Sequence, residues 1–242
     1  MHRPLPVFVA LAVVVSIGGC SHRGCTRLKN RFRSAPHAAA STSSAPTTGA
    51  SIIVVPRTPE PITIDGELEE NAWREVAART GAFHDEASSA DAIPYSDARF
   101  LRDDQALYVV LYAADEDLRA TVQAHDGPVW LDDAFDLRFR APGVTDPTFV
   151  IDVSVAGVLT DVREGPAGAR DPSWESGATA AVERDGTMNE PGGNDEEWVV
   201  EARIPLAALP SKTVDLAIRR CDTPKGAARR CGAWRGTLAL DR

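Results

Sequence analysis

The sequence at Ala134–Arg140 is AFDLRFR, in which apolar and charged side chains alternate without a break. Successive side chains of a β-strand point to opposite faces of a sheet. The pattern therefore predicts a strand with one buried face, formed by Phe135, Leu137 and Phe139, and one polar face that includes Asp136.

Similar short stretches recur along the rest of the chain, separated by turn signals such as Pro142-Gly143 and Asp185-Gly186. About ten short strands at this spacing predict an all-β fold, a two-sheet antiparallel β-sandwich of the immunoglobulin or jelly-roll kind. One short helix is expected near the start of the domain, at Leu68–Ala78. The other expected strands are Ile52–Val55, Ser96–Leu101, Leu107–Tyr112, Phe149–Val155, Leu159–Arg163, Ala178–Glu183, Trp198–Ile204, Val214–Arg220 and Thr237–Leu240.

The chain has 242 residues and a formal net charge of −9, which favours one folded domain with appendages. A net acidic protein has no electrostatic attraction to nucleic acid, so we expect no nucleic-acid partner. The charge is unevenly distributed, because no Asp or Glu precedes Glu60 whereas seven Lys and Arg do. Such asymmetry is typical of a membrane-facing segment attached to an acidic folded body.

Residues 1–19 have the features of a signal peptide. Val7–Ile17 is apolar but too short to span a bilayer, and Gly18-Gly19-Cys20 follows it. This end resembles a bacterial lipobox, which implies lipidation of Cys20; the alternative is an ordinary secretion signal with an incidental cysteine. Since Ser21 rather than Asp comes next, we expect a lipid anchor in the cell envelope, at the outer membrane.

Residues 20–50 are expected to form a tether between this anchor and the domain. Arg23–Arg33 is basic, which fits either contact with anionic head groups or a solubilising segment. Ser34–Ala50 consists mostly of Ala, Ser, Thr and Pro and cannot form a core. The folded domain should therefore span residues 51–242.

Two of the remaining cysteines are placed to form a disulfide. Cys221 and Cys231 bracket a nine-residue polar segment, and in an exported protein we expect them to be bonded. Cys25 has no obvious partner. A metal site built on cysteine pairs does not fit the spacing or the lack of nearby His.

Four stretches in sequence order carry a resemblance to a known family. They read ITIDGELEENAW at Ile62–Trp73, LYVVLYAADED at Leu107–Asp117, VWLDDAFDLRF at Val129–Phe139 and EEWVVEARIPLAAL at Glu196–Leu209. Together they resemble family 9 carbohydrate-binding modules and the wider DOMON-like group of β-sandwiches, over about residues 55–242. The resemblance implies a non-catalytic module that binds an oligo- or polysaccharide.

Saccharides present apolar C–H faces and a rim of hydroxyls, which aromatic rings and planar polar groups recognise. Family 9 modules hold a sugar between two tryptophans, and the resemblance matches these to Trp130 and Trp234. The alternative is that both rings fold back as lids on the core. Of the other tryptophans, Trp73 and Trp198 are expected in the core and Trp174 in a structural position.

The same resemblance implies charged sugar-binding groups. Asp136 matches the family's acidic residue, although Glu is commoner there. Arg220 matches an expected arginine, with Arg219 as the alternative, and Arg163 is a candidate second arginine. For all of these the other interpretation is a solvated sheet face.

Acidic clusters at strand ends form a second group of candidates. Carboxylates and free backbone carbonyls supply the oxygen ligands that Ca²⁺ prefers, and the resemblance implies structural calcium. We take Asp115, Asp117 and Asp133 as candidate ligands; the alternative is surface charge or protection of strand edges.

The sequence also bears on two other function classes, an enzyme and a partner-binding or structural protein. Because the sequence contains no GxSxG or HExxH motif, no enzyme activity is expected, although a glycosidase carboxylate pair is easy to compose from 35 acidic residues. An envelope lipoprotein that binds a partner, or is purely structural, needs only the fold. We expect a monomer.

Some DOMON-like relatives are haem b electron-transfer domains, which need axial ligands such as Met with His or Lys. The candidates are Met188, His84, His125, Lys212 and Lys225, and Met188 lies in a turn-rich segment. No haem is therefore expected.

Overall fold

The computed structural model describes residues 51–190, 192–224 and 226–240. The signal peptide, Cys20, Cys25 and the tether lie outside the described residues. Within them, no helix is both long and apolar enough to span a bilayer.

Short strands dominate the described residues. The strands are β1 (Ser51–Val54), β2 (Ala78–Arg79), β3 (His84–Asp85), β4 (Ser96–Arg102), β5 (Ala106–Ala114), β6 (Ala134–Arg140), β7 (Thr148–Ser154), β8 (Leu159–Glu164), β9 (Arg170–Asp171), β10 (Thr179–Asp185), β11 (Glu197–Pro205), β12 (Thr213–Asp222) and β13 (Arg230–Ala239). The helical segments are α1 (Asn71–Glu75) and three 3₁₀ turns, η1 (Val129–Leu131), η2 (Pro166–Gly168) and η3 (Leu206–Ala208).

Two sheets form a sandwich, as the sequence predicts. The eight-stranded sheet has the order β1-β13-β12-β6-β7-β8-β9, with β3 also paired to β13, and the five-stranded sheet has the order β10-β11-β5-β4-β2. Neighbouring strands are antiparallel except for β1 and β13, which pair in parallel. The predicted all-β class is confirmed.

The core lies between the two sheets, and β6 contributes three of its large side chains. Phe135, Leu137 and Phe139 are buried and face the opposite sheet, where the ring of Phe135 lies 4.9 Å from that of Trp198. Burying a side chain of this size contributes about 1.5–3 kcal/mol each, so the alternation in AFDLRFR fixes which face of β6 is inside. Trp198 is in the core, as predicted.

The structure differs from the sequence prediction mainly at element ends. Helix α1 has five residues instead of the eleven of Leu68–Ala78. Strand β13 begins at Arg230 rather than Thr237 and pairs with β12 along its whole length, with the disulfide-bonded Cys221 and Cys231 opposite each other. That disulfide is confirmed. The two-residue strands β2, β3 and β9 are too short to show a period in sequence.

Trp73 is buried, but it lies on the outer face of the five-stranded sheet rather than between the sheets. Its Nε1 donates a hydrogen bond of 2.9 Å to Oε1 of Glu201, whose Oε2 accepts from the backbone N–H groups of Asp65 and Gly66. Gly66 has φ of 85°, and a Cβ there would approach Glu183 N to 3.0 Å. Burial raises the pKa of Glu201 to about 7. Glu201 therefore fastens the segment before α1 onto the sheet.

Replacing Glu201 with Ala should destabilise the domain by about 2–4 kcal/mol, because three N–H donors lose their acceptor in a buried site. Urea unfolding followed by circular dichroism measures the change. The matched control is Glu75→Ala, an exposed residue of α1, which should change stability by less than about 0.5 kcal/mol. Equal effects of the two substitutions would contradict this role of Glu201.

Candidate functional site

The outer face of β6 and β7 carries a row of charged groups that the core leaves outside. Since Phe135 and Leu137 point inward, Asp136 and Arg138 point to the opposite face of the sheet. In the register of β6 with β7, Asp136 lies directly opposite Asp152. The two carboxyl groups therefore share one patch of the outer face.

Trp130 lies at the border of this face, in the 3₁₀ turn η1 that leads into β6. Its neighbour Val129 is fully buried and holds the turn against the protein, whereas Trp130 itself is 37% exposed. The guanidinium of Arg170, from β9, lies 4.5 Å from the centre of the Trp130 ring. An aromatic ring and a planar cation are thus stacked at the surface.

Ion pairs connect this ring to Asp136. Arg170 lies 3.5 Å from Glu164, which accepts a hydrogen bond of 2.7 Å from Arg138 Nη1. Arg138 Nε in turn donates to Asp136 Oδ1 at 2.8 Å. We call Trp130, Asp136, Arg138, Glu164 and Arg170 the outer-face cluster. The structure thereby brings two of the predicted site residues, Trp130 and Asp136, into one connected set.

Asp136 and Asp152 lie opposite each other beneath the outer-face cluster, and their carboxyl groups repel each other when both are charged. Burial, followed by the negative charge of Asp136, raises the pKa of Asp152 well above its ordinary value. Asp136 is itself only 7% exposed, since Arg138 and the neighbouring strands cover it. It is therefore placed to orient Arg138 and not to form the exposed rim of a site.

Trp234 and Arg220 are not where a sugar could reach them, which corrects the prediction for both. Trp234 is 7% exposed and packs in the core, with its ring 6.1 Å from that of Phe100. Arg220 is 2% exposed and lies opposite Phe135 in the register of β12 with β6, so it points inward. The alternative arginine, Arg219, lies opposite Asp136 and hence on the outer face.

Arg163 is also on the wrong face for a site with Asp136. It lies opposite Phe149 in the register of β8 with β7, and its guanidinium pairs with Asp171 at 2.6 Å. The arginine that the structure supplies instead is Arg170. Arg138 is predictable from sequence because it lies two residues from Asp136 on the same face of β6. Asp152 is predictable because it alternates with the apolar Ile151 and Val153 along β7. Arg170 belongs to a two-residue strand, which is too short to show a pattern.

The predicted calcium ligands are only partly assembled. Carboxylate oxygens of Asp115 and Asp133 lie within 4.8 Å of each other, but the third member is Asp222. Asp117 is not part of this group, and its Oδ2 accepts hydrogen bonds from the Arg119 guanidinium instead. We call Asp115, Asp133 and Asp222 the acidic cluster.

The positively charged guanidinium of Arg220 lies within the acidic cluster. Arg220 Nη2 donates to Asp115 Oδ2 at 2.7 Å, and Nη1 lies 3.5 Å from Asp222. Both oxygens of Asp133 accept backbone N–H groups, from Arg119 and Thr223, although burial still raises its pKa to about 7. In this structure the acidic cluster is a buried ion-pair network, in which Arg220 supplies positive charge that a Ca²⁺ ion would otherwise bring. Calcium binding there stays a prediction.

An unpredicted residue, Arg229, holds the Trp130 turn in place. Its guanidinium donates to the backbone carbonyls of Trp130 at 2.8 Å and Asp132 at 2.7 Å, and to Thr223 Oγ1 at 3.1 Å. Arg229 lies in the hairpin that the Cys221–Cys231 disulfide closes. The polar residues of this hairpin show no alternation in sequence that would have predicted its role. The hairpin thus supports η1 from behind.

A separate cleft, with a volume of about 540 Å³, lies away from this face. Its lining includes Arg57, Asp104, Leu206 and Leu240 but no aromatic side chain. Arg57 and Asp104 are paired with each other across it. The cleft offers no stacking surface, so the outer-face cluster remains the better candidate for recognition.

Comparison with known proteins finds similarity in structure only. No family profile and no curated protein sequence matches the chain. A Bacteroides uniformis crystal structure with a provisional carbohydrate-binding assignment is 14% identical, with a TM-score of 0.63 over 80% of this chain and 100% of that chain.

A family 9 carbohydrate-binding module of Caldicellulosiruptor kristjanssonii is 17% identical in two structures. The complex with cellotriose has a TM-score of 0.53 over 79% of this chain and 94% of that chain. The complex with glucose has a TM-score of 0.52 over 79% and 96%. The described domain therefore has the β-sandwich fold of family 9 carbohydrate-binding modules.

Proposed function

We propose that the protein binds a saccharide, without catalysis, on the outer-face cluster. The observation that carries the proposal is Trp130, an exposed ring fixed by a buried neighbour and bordered by charged planar groups. Support comes from the fold, since modules of the same fold have been solved with cellotriose and glucose. The order of sequence motifs supports the same function.

The expected contacts follow from the chemistry of a sugar. The apolar face of a pyranose ring stacks on Trp130, while its hydroxyls meet Arg138, Glu164 and Arg170 at the rim. Arg170 must leave the indole to admit the sugar, which costs a surface cation–π contact of about 0.5–1 kcal/mol. Its guanidinium can then donate to the hydroxyl rim.

The carboxyl groups of the site favour binding over hydrolysis. Glycosidases place two carboxyl groups on either side of the scissile bond, about 5–9 Å apart. Here Asp136 and Asp152 lie directly opposite each other on neighbouring strands, so no sugar fits between them. We infer that Asp136 acts by orienting Arg138.

We also propose that a lipid on Cys20 anchors the domain in the cell envelope, at the outer membrane. The support is the sequence Ile17-Gly18-Gly19-Cys20 after an apolar run, followed by Ser21. A tether of residues 20–50 would let the domain reach saccharides close to the membrane surface.

Replacing Trp130 with Ala should weaken binding of cellotriose or xylo-oligosaccharides at least about tenfold, which corresponds to about 1.4 kcal/mol. Isothermal titration calorimetry measures the affinity. The matched control is Leu131→Ala, the neighbouring residue of η1, which is more exposed than Trp130 and should leave affinity unchanged.

A second control separates the surface from the core. Trp234→Phe should lower the melting temperature and keep the sugar affinity, because Trp234 is buried. Equal affinity of Trp130→Ala and the wild type would refute the stacking role. Absence of binding across a broad glycan panel would refute the proposed function.

The raised pKa of Asp152 predicts a pH effect on stability. The stabilising contribution of a group with a raised pKa is present below its unfolded value, near pH 4, and is lost as the pH rises through the folded value. Asp152→Asn removes this loss, so its stability relative to wild type should be higher at about pH 8 than at about pH 5. Urea unfolding at both pH values measures it, and a constant difference would contradict the assignment.

Cys20→Ser should move the protein from the membrane fraction to the soluble fraction, because the thiol that takes the lipid is absent. Cys25→Ser is the matched control and should stay in the membrane fraction. Fractionation followed by immunoblotting measures both, and retention of the Cys20→Ser protein in the membrane would show that the anchor assignment is wrong.

A further inference from the structure

The loop between β5 and β6 brings a histidine against a buried carboxylate of β8. His125 Nδ1 lies 3.0 Å from Asp126 Oδ2, and the Asp126 Oδ1 accepts a hydrogen bond from the backbone N–H of Asp161. One ligand atom from each of these residues lies within 4.8 Å of the others. This group is separate from both the acidic cluster and the outer-face cluster.

Asp161 is the unusual member. It points inward from β8, opposite Ile151, and is only 2% exposed. Its Oδ2 accepts from the backbone N–H of Ser176 at 2.5 Å, but among the described residues its Oδ1 has no hydrogen-bond partner. No ion pair within the described ranges includes Asp161 either.

A buried carboxylate oxygen without a partner is costly, because it loses its hydration and gains nothing in return. Such a group calls for a ligand that supplies positive charge at that point. The His125 side chain is 56% exposed, so a small ion could reach this group from the surface.

We propose that His125, Asp126 and Asp161 bind a divalent transition-metal ion, with Zn²⁺ as the best match. A set of one imidazole nitrogen and two carboxylates suits Zn²⁺, which takes four ligands and accepts nitrogen and oxygen together. The fourth position is left for water. Ca²⁺ fits less well, since it takes six to eight oxygen ligands and an imidazole provides none.

The ion would bridge the loop and the sheet just before η1. Asp126 N donates to the Leu159 carbonyl at 3.2 Å, and the Gly127 carbonyl accepts from Thr160 Oγ1 at 2.6 Å. The same loop then continues through Pro128 into η1. A metal ion coordinated by both the loop and β8 would add a further link between them. The metal-bound protein should therefore be more stable than the metal-free protein.

The test is metal binding by the purified full chain, followed with Co²⁺ as a spectroscopic probe and with Zn²⁺ by calorimetry. Visible absorption of bound Co²⁺ and its displacement by Zn²⁺ are expected for the wild type. His125→Ala should weaken Zn²⁺ binding at least about tenfold. Because His125 is exposed, this variant should fold normally, which circular dichroism checks.

The matched control is His84→Ala. His84 is also exposed and also lies near an aspartate, Asp91 at 3.5 Å, but it is not part of the three-residue group. The His84→Ala variant should bind Zn²⁺ like the wild type. Zn²⁺ should raise the melting temperature of this variant but not that of His125→Ala.

Three results would overturn the proposal: no Zn²⁺ binding by the wild type, equal Zn²⁺ affinity of the wild type and His125→Ala, or a melting-temperature rise with Ca²⁺ as large as that with Zn²⁺. None of these depends on a saccharide, so they are independent of the outcome for the outer-face cluster. Asp161→Asn gives a second check, since the amide oxygen can still accept from Ser176 while the charge is lost. Its Zn²⁺ affinity should also fall.

Discussion

The strict alternation along β6 is the constraint on which the rest of the structure depends. Phe135, Leu137 and Phe139 are buried against the five-stranded sheet, and a slip of one residue would send Asp136 and Arg138 into the core instead. Both neighbours of β6 are antiparallel, so its register sets theirs. The charged patch outside and the apolar core inside are therefore two consequences of one pattern.

The same alternation explains what the sequence could and could not reveal. Period 2 along β6 predicts the strand, its buried face and the outward position of Asp136. Along β12, where Leu216 and Ile218 are buried, the same alternation places Arg220 inside and Arg219 outside. The family match nevertheless favoured Arg220 as the sugar-binding arginine. Alternation along a strand therefore predicts which face a residue occupies better than a family match does.

Contacts between distant segments were beyond prediction because they depend on register and turn geometry. The pairing of Arg220 with Asp115 joins β12 to the end of β5, and it leaves a guanidinium where separate acidic stretches suggested calcium. Removing one partner of a buried pair costs about 3–5 kcal/mol, so these charges serve the fold only as a set. Acidic clusters in a sequence do not reveal whether a distant arginine completes them.

The disulfide hairpin links the stability of the sandwich to the presentation of Trp130. Cys221 and Cys231 close the end of β12 and β13, and Arg229 from that hairpin donates to the carbonyls of Trp130 and Asp132. A ring held by its own backbone loses little conformational freedom when a ligand arrives, whereas a ring on a mobile loop must be ordered first. The disulfide thus restrains the Trp130 turn indirectly, because it closes the hairpin whose Arg229 binds the backbone of that turn.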